Sequence, residues 1–205
     1  MLDDRERHQL LVDWNQSQAD FPLDQTYAAL FAQQVAAHPE RIAAVCHDAA
    51  LTYRELDERA ARVAQALIAA GARTDTLVAL MGERDLLLLV MMIAVLKAGA
   101  AFLPLDVHHP VERLRDVLQS SGAPLLLVAQ SAAGLANQVA NGIGSLQVLV
   151  VEQYWQHGAV PILPVIGSPN DLAYAIVTSG ATGKPKGVLV EQRGMLNNML
   201  GKIPV

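Results

Sequence analysis

The stretch LAYAIVTSGATGKPKGV, residues 172–188, predicts the central feature of this chain, a strand that runs directly into a phosphate-binding loop. Its first part, from Leu172 to Val177, is apolar and typical of a strand. The composition then changes abruptly to glycines, hydroxyl side chains and two lysines that flank Pro185. This change predicts that the strand gives way to a loop built for an anion.

The loop combines three kinds of group that bind polyphosphates. Glycine accepts positive φ and lets main-chain N–H groups approach an anion without a Cβ in the way. Hydroxyl groups donate hydrogen bonds, and lysine ammonium groups supply positive charge. The residues in question are Thr178, Ser179, Gly180, Thr182, Gly183, Lys184, Lys186 and Gly187.

A loop of this composition has two other interpretations. An ordinary solvated hairpin loop has a similar composition, because Gly, Ser, Thr, Lys and Pro are common in surface turns. A Walker A loop is excluded by spacing, since Thr178 stands where the pattern GxxxxGK[ST] requires glycine. The residues alone therefore favour a phosphate site of a different type.

The composition argues against several classes of function. Hydrophobic residues make up 52% of the 205 residues, which is enough for a core and excludes general disorder. The formal charge is −5 and the basic residues are scattered, so neither nucleic acid nor an anionic membrane is an expected partner. The longest apolar run, 86–96, is too short to span a bilayer and predicts a helix buried on all sides.

Cysteine usage and the N-terminus favour a cytoplasmic location. The single cysteine, Cys46, cannot form an internal disulfide, which fits a reducing compartment. Residues 1–12 carry charged side chains where a signal peptide requires an apolar core. His108 and His109 are adjacent, a spacing that rarely places two ligands on one metal, so surface or capping roles are expected and no metal site is predicted.

Alternating patterns predict an α/β fold with a mainly parallel sheet flanked by helices. Helical patterns lie at 26–37, 54–70, 85–98, from Pro110 and at 131–139, and strand-like runs lie at 76–81, 100–105, 124–128 and 146–151. A strand pair at 42–46 and 50–53 is expected to turn at His47 and Asp48. We divide the chain into a linker or docking arm, 1–25, and a domain, 26–205, with a loop-rich connection at 152–170.

Three stretches, in order, resemble one family. TSGATGKPKG, 178–187, resembles the phosphate loop of the adenylate-forming enzymes, which include acyl-CoA synthetases, luciferases and the adenylation domains of nonribosomal peptide synthetases. LTYRELDERA, 51–60, and LKAGAAFLPLD, 96–106, resemble the first two core motifs of those adenylation domains. The resemblance implies the N-terminal part of the large domain of an adenylate-forming enzyme.

The N-terminal arm indicates which branch of this family the chain resembles most. Trp14–Asn15, Phe21–Pro22 and Leu30–Phe31 resemble the segment that joins a condensation domain to an adenylation domain. This favours activation of an amino acid over activation of a fatty acid. A fragment of an acyl- or aryl-acid CoA ligase and a non-catalytic docking remnant remain as alternatives.

The resemblance implies a reaction in two halves. An amino acid carboxylate attacks the α-phosphate of ATP, and the thiol of a carrier protein's phosphopantetheine then takes the aminoacyl group. The residues that match the loop that grips the β and γ phosphates with Mg²⁺ are Thr178, Ser179, Gly180, Thr182, Gly183 and Lys184, together with Lys186. Ala181 stands where the family usually has Ser or Thr, so only its backbone N–H is available and a weaker phosphate contact is expected.

The chain departs from the pattern of this family at three other positions. It has Val177 where Tyr is common, Val107 where Pro is common and Gln192 where His is common. The larger departure is length, because the later family motifs, with the substrate pocket and the catalytic lysine, lie beyond residue 205. No residue present is a candidate catalyst. We therefore expect that this chain alone does not complete adenylation and that it exposes an unpaired strand edge and apolar surface.

Overall fold

The computed structural model describes residues 2–16, 19–155, 159–179 and 185–202. The helices are α1 (Asp4–Leu11), α2 (Tyr27–Ala37), α3 (Tyr53–Ala69), α4 (Leu86–Lys97), α5 (Val111–Ser121), α6 (Ala133–Ala140), α7 (Glu152–Trp155) and α8 (Gln192–Leu200). The strands are β1 (Ile42–Cys46), β2 (Ala49–Thr52), β3 (Leu77–Met81), β4 (Ala101–Leu105), β5 (Leu125–Val128), β6 (Gln147–Val150), β7 (Leu172–Ser179) and β8 (Pro185–Glu191).

Within the described part of the chain, the main sheet has six strands in the order β6-β5-β3-β4-β7-β8. All neighbouring pairs are parallel except β7 and β8, which form an antiparallel hairpin. A separate two-stranded antiparallel sheet is formed by β1 and β2, with His47 at φ 52° in the turn between them. The predicted mainly parallel α/β sheet is confirmed, whereas the antiparallel strand β8 was not predicted.

Helices cover both faces of the sheet. Alternate residues of β3 point to opposite faces: Val78 and Leu80 join the core beneath α3 and α4, and Ala79 and Met81 join the core beneath α5 and α6. Burial on both faces is why the central strands are apolar at every position rather than at alternate positions.

Helix α4 is less enclosed than its sequence predicts. Its side chains from Val90 onwards are almost all buried, but the four leucines of its first turn, 86–89, are only half-buried. Asp85 caps the helix by accepting N–H groups from Leu87 and Leu88, at 2.9 and 3.1 Å. The cap places this turn at the surface, so the prediction of burial on all sides is wrong for the first turn.

The connection predicted to be loop-rich contains the short helix α7. The carbonyl of Val151 accepts N–H groups from Tyr154 and Trp155, and the guanidinium of Arg59 lies 4.9 Å from the centroid of the Trp155 ring. This cation–π contact joins α7 to α3 across a long stretch of sequence. Because this contact joins residues that are far apart in sequence, local composition does not predict the helix.

The first part of the N-terminal arm, up to Trp14, is exposed to solvent. None of the residues of α1 is buried, and Trp14 is 69% exposed. Asp3 and Glu6 form a complete capping box, which stabilises α1 from within. Within the described residues, none of the helices combines the length and the apolar character that crossing a bilayer requires.

Gln192 connects the C-terminal helix to the N-terminal part of the domain. Its side chain is buried, and Oε1 accepts the backbone N–H of Tyr27 at 3.1 Å. The hydroxyl of Thr26 accepts the N–H of Ala29 at 3.2 Å, so two side chains cap the start of α2. The glutamine at this position, where a histidine is common in the family resembled above, is thus a structural bridge between α8 and α2.

We predict that Gln192→Ala lowers the free energy of unfolding by about 1–3 kcal/mol, because it leaves the partly buried N–H of Tyr27 without its partner. Chemical denaturation measures the change. The matched control is Gln33→Ala, which removes an exposed amide that is hydrogen-bonded to Gln25 and should cost less than about 0.5 kcal/mol. Equal effects of the two substitutions would contradict the bridging role.

Candidate phosphate-binding site

Strand β7 carries the predicted phosphate loop to the carboxyl edge of the sheet. It runs parallel to β4, and the two strands meet at the register pair Phe102 and Tyr174, whose rings stack with centroids 5.5 Å apart. At the start of β7 the N–H of Leu172 donates to the carboxylate of Asp75 at 2.9 Å. Because parallel strands share one direction, β7 ends at the same edge as β3 and β4.

Thr178 and Lys186 form the neck of the hairpin, where β7 and β8 meet the loop. They are directly opposite each other in the antiparallel ladder, so their side chains share one face of the sheet. The hydroxyl of Thr178 donates to the backbone carbonyl of Lys186 at 3.3 Å. Both residues are exposed, and the ammonium of Lys186 is available to a ligand at this edge.

The described residues include only part of the predicted site. Thr178 and Lys186 are brought together at the neck, and Ser179 ends β7 opposite Pro185. The predicted residues that lie outside the described part of the chain are Gly180, Ala181, Thr182, Gly183 and Lys184. Phosphate binding by these residues, and the effect of alanine at position 181, remain predictions.

A crevice of about 850 Å³ opens at the same edge, between the ends of β3 and β4. Its lining comes mainly from residues 82–85, which follow β3, and residues 104–108, which end and follow β4. The chain leaves β3 through α4 on one face and leaves β4 through α5 on the other. Open α/β sheets bind ligands at such a divergence of connections.

Two pairs of charged or ionisable side chains face each other in this crevice. Arg84 lies 3.7 Å from the carboxylate of Asp106, and His108 lies 3.5 Å from Glu83. The backbone N–H of His108 also donates to Asp106 at 3.0 Å. This backbone bond is the main cause that lowers the pKa of Asp106, with smaller contributions from the nearby charges of His108, His109 and Arg84.

Sequence reasoning did not assign these residues to one place. His108 was expected at the surface or in a cap, and it is exposed. The signal that was available is positional: Glu83 and Arg84 follow one buried strand, and Asp106 follows the next. Residues after neighbouring parallel strands lie at one edge of the sheet.

We predict that the carboxyl of Asp106 titrates below its ordinary pKa of 3.8 and that Arg84→Ala leaves most of this depression in place, because the N–H of His108 is retained. Since the pKa is lower in the folded state, the stabilisation exists above pH 3.8 and is lost as the pH falls through the folded-state pKa. Carboxyl-detected NMR measures the midpoint. A midpoint restored to 3.8 by Arg84→Ala would show that the ion pair is the main cause.

The comparisons with known proteins agree on one family. The model of the family described as AMP-binding enzyme matches residues 31–204. Bacitracin synthase 3 of Bacillus licheniformis is 39% identical over 199 residues, which cover 96% of this chain and 3% of the relative. Gramicidin S synthase 2 of Brevibacillus brevis is 38% identical over 197 residues, with 96% and 4% covered. The chain thus spans a small part of the length of these curated relatives.

Solved structures with the same fold include the nonribosomal peptide synthetase FmoA3 in its AMPPNP-bound form. It matches with a TM-score of 0.82 and 28% identity, over 97% of this chain and 20% of that chain. The N-terminal subdomain of NpsA from Klebsiella oxytoca matches with a TM-score of 0.71 and 27% identity, over 89% of this chain and 45% of that chain. With the family model matched over most of its length and the fold in agreement, the chain belongs to the AMP-binding enzyme family.

Proposed function

We propose that this chain is part of an adenylation domain of a nonribosomal peptide synthetase, which uses ATP to activate an amino acid. The observation that carries the proposal is the hairpin neck, where Lys186 and Thr178 hold the ends of a Gly-, Thr- and Lys-rich loop at the carboxyl edge of an AMP-binding-family sheet. The names of the curated relatives, bacitracin synthase 3 and gramicidin S synthase 2, support the assignment to peptide synthesis.

In the proposed reaction a carboxylate oxygen of the amino acid attacks the α-phosphorus of ATP. The bond between the α-phosphorus and the oxygen that bridges to the β-phosphate breaks, which yields an aminoacyl adenylate and pyrophosphate. Negative charge therefore builds up on the departing pyrophosphate. The ammonium of Lys186 and the residues of the loop, 179–184, supply positive charge and N–H donors there.

Mg²⁺ is the metal implied by this chemistry. Among the described residues, no group of three His, Cys, Asp or Glu side chains could hold a metal ion. The neck offers instead a lysine and a hydroxyl group, which suit the phosphates themselves. We propose that Mg²⁺ arrives bound to the phosphates of ATP, as is usual for this ion at phosphate sites.

The partners of the proposed reaction follow from the assembly-line relatives. A carrier protein takes the aminoacyl group on its phosphopantetheine thiol, and a condensation domain uses it next. The arm, 1–25, is the segment that we propose to dock a neighbouring condensation domain, because α1 is internally capped and two apolar side chains, Leu11 at its end and Trp14 just after it, are exposed. The proposed location is the cytoplasm.

The chain is expected to bind Mg·ATP, and Lys186→Ala should weaken binding by tenfold or more, because it removes a charge-assisted contact of about 1.5–3 kcal/mol. Isothermal titration calorimetry measures the affinity. The matched control is Lys202→Ala, which removes another exposed lysine beyond α8 and should leave binding unchanged. Equal loss with both variants would indicate nonspecific attraction and not a phosphate site.

Amino-acid-dependent exchange of pyrophosphate into ATP tests the reaction. The full synthetase that contains this sequence should support exchange with one or a few amino acids, and Lys186→Ala should abolish most of it. The isolated 205-residue chain should show no exchange above its own Lys186→Ala variant. Exchange that depends on a fatty or aryl acid would favour the CoA-ligase alternative.

A further inference from the structure

We infer that Thr178 positions the phosphate loop by closing its neck and does not itself donate a hydrogen bond to a phosphate. Resemblance to the family places Thr178 among the residues that grip the phosphates, and the geometry gives it another role. The inference rests on the proposed function of the loop, but its first test needs no nucleotide.

The direction of the hydrogen bond fixes what Thr178 can do. A carbonyl oxygen only accepts, so the hydroxyl of Thr178 must donate its single hydrogen to the carbonyl of Lys186, 3.3 Å away. The oxygens of a deprotonated phosphate are acceptors too. With its hydrogen committed to the neck, Thr178 has only lone pairs left for a ligand.

The bond lies at the exposed, loop-side end of the ladder between β7 and β8. On the face of Thr178 and Lys186, the next pair of the ladder, Ile176 and Val188, is 46% and 50% exposed, so little packing on that face holds the two strands together near the loop. Exposed ends of a ladder open more readily than its buried part. A side-chain bond from β7 to the backbone of β8 adds one further link between the strands at this point.

Closing the neck has a consequence for ligand binding. Seven residues, 179–185, separate Thr178 from Lys186, and the bond keeps the two ends of that segment together before a ligand arrives. A loop whose ends are already held loses less conformational freedom on binding. The same bond fixes the backbone of Lys186, so Thr178 acts through the lysine that provides the charge.

Hydrogen exchange of the nucleotide-free chain is the first test, with Thr178→Val, which keeps the shape without the hydroxyl, and Thr178→Ser, which keeps the hydroxyl. We expect amides at 176–178 and 186–188 to exchange about three- to tenfold faster in Thr178→Val and at the wild-type rate in Thr178→Ser. The matched control, Thr74→Val, changes an exposed threonine elsewhere and should have no effect on these amides. Unchanged exchange in Thr178→Val would overturn the inference.

Affinity for Mg·ATP is the second test, on the same variants. We expect Thr178→Val to bind about three- to tenfold more weakly and Thr178→Ser to bind like wild type, with the same midpoint of thermal unfolding in all. Weaker binding together with unchanged exchange would assign Thr178 as a direct phosphate donor and overturn the inference. If no variant binds Mg·ATP, the proposed function fails, while the exchange result still decides whether Thr178 closes the neck.

Discussion

The stacking of Tyr174 on Phe102 is the contact on which the site depends. It lies at the register pair that joins β7, and through it the hairpin, to the central sheet. Aromatic pairs of this kind contribute about 0.5–1.5 kcal/mol beyond the area that they bury. A slip of one residue in this register would move Thr178 and Lys186 to the opposite face, because successive side chains in a strand alternate.

The parallel direction of β7 brings two features to one edge of the sheet. The neck of the hairpin and the crevice beside Arg84 and Asp106 both lie where parallel strands end. The apolar core keeps β3 and β4 in fixed register, with Met81 opposite Leu105 at their ends. The buried strands thus bring the loops that follow them to one edge of the sheet. The exposed part of the hairpin is held by contacts between β7 and β8.

Much of this fold follows from the sequence because apolar periodicity is a local property. The helix that begins at Tyr53 and the strand that ends at Met81 were predicted to within one or two residues. Strand β8 was missed because Gly187, Val188 and Leu189 are exposed, and nothing in the segment itself shows that it pairs with β7. The direction of a strand and the strand that it pairs with are decided by contacts between residues that are distant in sequence.

At the site, too, local features were predicted and contacts between distant residues were not. Residue types and family resemblance pointed to a phosphate loop, and the structure places Thr178 and Lys186 together, but the partner of the threonine hydroxyl is a backbone atom on another strand. The role of Gln192 was likewise beyond local reasoning, since its partner, Tyr27, is 165 residues away.

The central claim is that the carboxyl edge of this sheet receives the phosphates of ATP at the hairpin neck. Mapping backbone amide chemical shifts of the chain as Mg·ATP is added tests it most directly. We expect shifts that saturate and are concentrated at Thr178 and Lys186, with none at Leu77 and Ala101 on the opposite edge. Saturating shifts at Leu77 and Ala101, with none at the neck, would contradict it.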